Sequence, residues 1–235
     1  MIINDKNNIE QSSNKNLSTD KTCDKILNAA EELFAEKGYN AVSVRAITAK
    51  AQCNLAAVNY HFGNKANLYK EVFTRFLTDL RENKLAAINN VMESEDATLE
   101  KLLSGFCKNF IETHSSGRFS KLHSLMQREE VTPLLPQDLF LGQFRKPVME
   151  RLAEAFKKLC PGLSVEDCFL CVESTISQML HLCMVSQKMN NFKSPLRLLP
   201  VKFGSKDYVK KSIDHIVFFC KAGIEALNDK NRNKI

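Results

Sequence analysis

Apolar residues recur at helical spacing along most of this chain, and no stretch alternates as a half-buried strand would. From about Thr19 to Lys37 the residues Cys23, Ile26, Leu27, Ala30, Leu33 and Phe34 share one helical face, and Gly38 supplies a left-handed stop. Two short helices follow. Val44, Ile47 and Ala51 mark the face of the first; Leu55, Val58 and Phe62 mark the second. Gln52-Cys53-Asn54 form the turn between them, with Ser43 and Asn54 placed as N-caps. Asn64 caps a longer helix, whose inward face is Leu68, Val72, Phe73, Phe76 and Leu80 and which runs to about Asn89. Beyond Ala97 helices are expected at Leu99–Thr113, Ser120–Glu130, Leu139–Leu159, Val165–Met189 and Tyr208–Asn228, broken by Gly and Pro. Residues 1–18 are rich in Asn, Ser and Lys and read as a mobile tail. The fold class is all-α.

The two short helices carry the functional signal. Neither is long enough to be stable alone, so both must pack on a third element, which the helix ending at Lys37 provides. The outward face of the second is then left with Ala56, Ala57, Asn59, Tyr60 and His61. Small residues beside hydrogen-bonding and aromatic ones suit close approach to a base-pair edge. This is a three-helix helix-turn-helix with a recognition helix. The net charge of +6 argues only weakly for an anionic partner, but its distribution says more. No Asp or Glu lies between Lys37 and Glu71, whereas Arg45, Lys50, Lys65 and Lys70 do. Counterion release from a nucleic acid needs such a face. Ser43, Arg45, Asn54, Ala56, Ala57, Asn59, Tyr60, His61 and Lys65 are the expected DNA-binding residues, with Lys65 on a phosphate.

The stretch Val44-Arg45-Ala46-Ile47, with Tyr60-His61-Phe62-Gly63-Asn64-Lys65 and Leu68-Tyr69, resembles the DNA-binding segment of the TetR family of bacterial transcriptional regulators. Ile26-Leu27-Asn28-Ala29-Ala30 and Leu33-Phe34-Ala35-Glu36-Lys37-Gly38-Tyr39 resemble the family's first helix and its Gly stop. The likeness covers roughly the first third of the chain. It departs at Gln52, where the family usually has Gly, and at Asn59, where it usually has Tyr. Met126-Gln127-Arg128-Glu129-Glu130-Val131-Thr132-Pro133, with Arg145-Lys146-Pro147, resembles the C-terminal domain of the family's CecR-like branch. The resemblance implies a helix-turn-helix domain at 19–66 and a larger helical effector-binding and dimerisation domain at 67–235, together forming a repressor. It implies homodimeric binding to a palindromic operator and release by a small molecule.

The last two helices favour assembly on their own account. Phe169, Val172, Ile176, Met179 and Cys183 form one stripe, and Cys171, Gln178, Leu182 and Val185 widen it. Val209, Ile213, Ile216, Val217, Cys220, Ile224 and Leu227 line the final helix, with Phe218 and Phe219 beside them. A helix apolar on more than one side must bury more than one side, and a second copy can cover the second. For the effector, Phe106, Phe110, Met126, Phe144, Met149, Met179 and His181 are candidate pocket residues, and their apolar character favours an apolar or aromatic ligand.

Other chemistry is not supported. Cys168-x-x-Cys171 with His181 and Cys183 cannot converge on one metal ion, because a straight helix separates Cys168 from His181 by ~20 Å. No catalytic or nucleotide-binding motif occurs, so neither enzyme activity nor a cofactor is expected. Eight cysteines without a secretory signal, and no apparent membrane-spanning run, point to the reducing cytoplasm. The competing reading is a helical small-molecule carrier or enzyme whose N-terminal helices have lost operator binding.

Overall fold

The computed structural model describes residues 6–115, 133–190 and 205–233, with 117, 119, 122, 125, 126, 128 and 129 between them. For 6–20, 115, 137 and 186–190 it describes the backbone alone. Among the described residues all regular structure is helical. The chain divides into two compact units, one of residues 1–76 and 121–137, the other of 77–120 and 138–235.

The first unit holds α1 (Lys6–Lys37), α2 (Val44–Ala51), α3 (Leu55–Phe62) and the first half of α4 (Lys65–Met92). α1 begins at Lys6, inside the stretch expected as a tail. Extending a helix adds one hydrogen bond per residue fixed, without repeating the cost of nucleation. Its buried face is Ile26, Leu27, Ala30, Leu33 and Phe34, as the spacing predicts. Gly38 ends it at φ 78°, with its N–H on the Phe34 carbonyl at 2.8 Å. A Cβ at Gly38 would sit 2.8 Å from the Arg128 guanidinium, which can swing aside, so it is the positive φ that favours glycine here.

Rings of Phe34, Tyr39, Tyr69, Phe73 and Phe76 form a chain of stacked, edge and tilted contacts through this unit, with centroids 4.8–6.5 Å apart. Arg75 on α4 reaches back to α1, donating to Glu31 and Asn28, each at 2.9 Å. Glu129 closes the unit. Its Oε1 accepts from the Tyr69 hydroxyl at 2.7 Å, and its Oε2 accepts from the backbone N–H of Leu134 and of Leu135. Burial first, then this carboxylate, pushes the Tyr69 phenol well above its ordinary range.

The second unit holds the rest of α4, then α5 (Leu99–Ser115), α6 (Gln137–Phe140), α7 (Lys146–Leu159), α8 (Val165–Asn190) and α9 (Lys206–Arg232). Its core is Ile88, Leu102, Leu103, Phe106, Leu152, Phe156, Leu163, Val172, Met179, Ile216 and Ile224, among others. One helix was expected over 139–159. Instead α6 passes through a π-helical turn at Leu141–Arg145 before α7 begins. Pro147 has no N–H and cannot serve the carbonyl of Gln143 four residues earlier. Arg81 on α4 serves it, donating Nη1 to that oxygen at 3.2 Å. Of the helix expected at 120–130, the residues 122, 125, 126, 128 and 129 are helical and the others lie outside the described residues. The breaks expected at Pro195, Pro200 and Gly204 also lie outside them.

One expectation is overturned in α8. Val165–Val185 is long and apolar enough to cross a membrane, with a mean hydropathy of 1.4. Glu166 and Asp167 sit in the first turn, which leaves Glu173 as the one acid from Cys168 to Val185. Buried residues of this stretch, including Cys168, Val172, Met179 and Leu182, belong to the core of the unit. A core helix that packs on several neighbours reads the same way in composition as a spanning one.

Candidate nucleic-acid interface

The turn between α2 and α3 is built locally. Ser43 Oγ accepts the Ala46 N–H at 3.1 Å, and Asn54 Oδ1 accepts the Ala57 N–H at 2.8 Å, so both expected caps are made. Gln52 adopts φ 53° and ψ 46°, and among the described residues it is the one non-glycine with positive φ. The Cys53 N–H returns to Thr48 O at 3.0 Å and the Gln52 N–H to Ala49 O at 3.4 Å. This is a Schellman closure made without the usual glycine. α3 ends at Gly63, φ 77° and ψ −53°, where Asn64 N–H bonds back to Phe62 O at 2.9 Å. That γ-turn suits glycine, and it lets Asn64 cap α4 through the Asn67 N–H at 2.8 Å.

Packing then fixes what faces outward. Ile47, Ala51, Val58 and Phe62 are buried, holding α2 and α3 against α1. Ala56, Asn59 and Tyr60 are exposed, Tyr60 by 80%, while Ala57 and His61 are half-buried. Leu55 departs from expectation: it is 46% exposed at the first position of α3, whose burial is concentrated in Val58 and Phe62. Ser43 and Arg45 are exposed at the start of α2. Since Asn54 spends its Oδ1 on the cap, its amide N–H pair is what it can offer outward.

The cations are more constrained than the sequence implied. Lys65 Nζ stands over the Tyr39 ring, 4.1 Å from the centroid, and burial lowers its pKa from the ordinary value. Lys50 is paired with Glu32 of α1 at 2.7 Å, which raises its pKa and neutralises part of the expected charge. Arg45 and Lys70 are exposed. Neither the Tyr39 platform nor the Glu32 pairing was anticipated, because each joins residues far apart in sequence that only tertiary packing brings together.

The seven candidate pocket residues do not form one set. Phe106, Phe110 and Met179 are buried in the second unit, with Phe144 and Met149 partly buried against the same core. Met126 belongs to the first unit. His181 is exposed, because residues two apart on a helix point about 200° apart and Met179 already faces inward. Among the described residues no three His, Cys, Asp or Glu groups converge as a metal site. Burial raises the thiols of Cys107, Cys160, Cys168, Cys171, Cys183 and Cys220 above their ordinary range.

Residues 26–72 match the family described as bacterial regulatory proteins, tetR family. The probable HTH-type transcriptional regulator YttP of Bacillus subtilis is 34% identical over 82 residues, which cover 35% of this chain and 39% of that one. The HTH-type transcriptional dual regulator CecR of Shigella flexneri is 25% identical over 134 residues, 54% of this chain and 59% of that one. The chain thus spans less than two thirds of the length of these relatives. A solved TetR-family structure from Mesorhizobium loti shares the fold, with a TM-score of 0.69 at 21% identity over 87% of this chain and 96% of that one.

Proposed function

We propose, from the match of residues 26–72 to the family of bacterial regulatory proteins, tetR family, that this protein is a ligand-responsive transcriptional repressor rather than an enzyme. The observation that carries the reading is the outward face of α3. Ala56, Asn59 and Tyr60 stand uncovered on a helix closed at both ends by its own caps, in a stretch without a carboxylate from Gly38 to Lys70. Ala56 and Ala57 let the helix approach base edges, Asn59, Tyr60 and His61 offer hydrogen-bonding groups, and Ser43, Arg45 and Asn54 reach phosphate or an adjacent base. Lys65 clamps a phosphate, pre-set by its seat over Tyr39.

Two copies bind a palindromic operator, joined through α8 and α9, with recognition helices ~34 Å apart or a multiple of that spacing. The face available for that pairing includes Leu170, Met184, Phe218 and Phe219, all exposed. An apolar or aromatic effector enters the second unit and shifts the equilibrium by its differential affinity for the two states. The helix α4, which contributes to both units, carries the change. A protein with this partner works where the DNA is, in the cytoplasm.

A gel shift against the DNA flanking its own gene, at two salt concentrations, tests the reading. Salt-sensitive binding to an inverted repeat is the expected result. Its absence across the flanking DNA, with and without small molecules, favours the carrier or enzyme alternative.

A further inference from the structure

Lys84 occupies a core-facing slot on α4, between Leu80 and Ile88 in the helical repeat, and is only 1% exposed. Its Nζ donates to the Asn109 carbonyl at 3.2 Å, to Asn109 Oδ1 at 2.8 Å and to Thr113 Oγ1 at 2.9 Å, all on α5. Its three hydrogens are therefore used, but every acceptor is neutral. Among the described residues no carboxylate pairs with it. The acceptors lie in the last two turns of α5, whose dipole supplies roughly half a negative charge. That leaves much of a buried cation uncompensated, a situation that costs several kcal/mol unless the group neutralises. Burial accordingly lowers the Lys84 pKa to about 7. A Met in this slot would fill the space without that penalty.

The surroundings combine this polar cluster with aromatic side chains. The Phe110 ring lies 5.1 Å from Nζ, and Phe106 is tilted against Phe110. The titratable neighbours are Cys183 on α8, whose thiol burial pushes up to about 12, and His114, stacked on Phe110 at 4.3 Å. The polar network can also release the lysine. Thr113 Oγ1 lies 2.7 Å from the Asn109 carbonyl and 3.0 Å from Asn83 Oδ1, so its hydrogen has acceptors independent of Lys84.

We propose that Lys84, flanked by Asn109 and Thr113, is the anchor for the carboxylate head of an acidic effector with an apolar body. The carboxylate takes the place of Thr113 on Nζ, and the apolar body lies among the phenyl rings. This rests on the reading of the second unit as the effector-binding part and names the ligand class it accepts. It narrows the expected apolar or aromatic ligand to one that also carries a carboxylate.

The test uses matched probes on the full-length protein: decanoate against decanol, and 3-phenylpropanoate against 3-phenylpropanol, followed by calorimetry. Below pH about 7, where Lys84 is mostly charged, the acids bind about tenfold more tightly than their alcohols, a difference of about 1.4 kcal/mol. Lys84→Met removes that preference. In the wild type the acid affinity falls by up to about tenfold per pH unit above about 7, while alcohol affinity stays level. Equal binding of acid and alcohol, binding of neither, or an unchanged acid preference in Lys84→Met overturns the proposal. Should Lys84→Met fail to fold, the wild-type pH series decides: a flat acid affinity overturns it. Salt-sensitive DNA binding is measured separately, so its loss counts against the regulator reading and not against the acid preference.

Discussion

Gln52 holds a left-handed conformation that costs an L-residue roughly 1–2 kcal/mol, and glycine removes that cost while adding freedom to the unfolded chain. Gln52→Gly is therefore expected to stabilise the first unit by about 0.5–1 kcal/mol, read as a rise in the denaturant midpoint at unchanged slope. Lys65 belongs to the same scale. Lys65→Ala is expected to weaken DNA binding across sequences and flatten the log–log salt dependence by about one unit of slope. An unchanged slope would remove Lys65 from the phosphate contacts. Lys84 gives a pH prediction whose sign follows from the direction of its shift. Its folded-state pKa lies near 7, below the ordinary 10.5, so between those values the unfolded chain holds the extra proton. Stability then rises with pH across that window, by at most about 1.4 kcal/mol per unit, and is flat with respect to this group below it. The difference between wild type and Lys84→Met, followed by urea titration through that range, isolates the effect.

At the scale of elements, short helices here are held by their ends and long ones by distant polar ties. α2 and α3 have eight residues each and survive because capping closes their termini while Ile47, Val58 and Phe62 seat them on α1. α4 is fixed by Arg75 to Glu31, and by Tyr69 to Glu129, which also gathers the backbone of residues 134 and 135. Tyr69→Phe keeps the ring in its aromatic chain and removes only the hydroxyl bond to a carboxylate. It is expected to cost about 1.5–3 kcal/mol of unfolding free energy, measured by denaturant. A loss below a few tenths would show that Glu129 finds another donor. The π turn before α7 is a second such tie, since the carbonyl that Pro147 leaves unserved is taken by Arg81.

For the molecule as a whole, the exposed apolar residues of α8 and α9 matter most. Leu170 is 58% exposed and Phe218 72%, on helices whose other faces form the core of the second unit. A combined Leu170→Asp, Phe218→Asp variant is expected to sediment as a monomer, with thermal unfolding of the isolated chain little changed because neither side chain supports the core. Its DNA affinity should fall with the loss of the second recognition helix. A dimer that persists in this variant would place the pairing surface elsewhere.

The two short helices, their N-caps and most of the buried faces of α1, α2 and α4 were legible in the sequence. Each depends on side chains and backbone groups within about five positions of one another, so local spacing suffices to specify them. Tertiary packing decided the rest. It set Glu32 against Lys50, Tyr39 beneath Lys65 and Glu129 against Tyr69; it put Met126 in the first unit, and it left His181 and Leu55 facing outward. Those partners are separated by 18 to 60 residues, and a charge or ring cannot reveal its neighbour until helix packing has chosen which faces meet. Lys84 illustrates the limit. In the sequence it is one cation among 33 Lys and Arg, and only burial among neutral acceptors makes its charge informative.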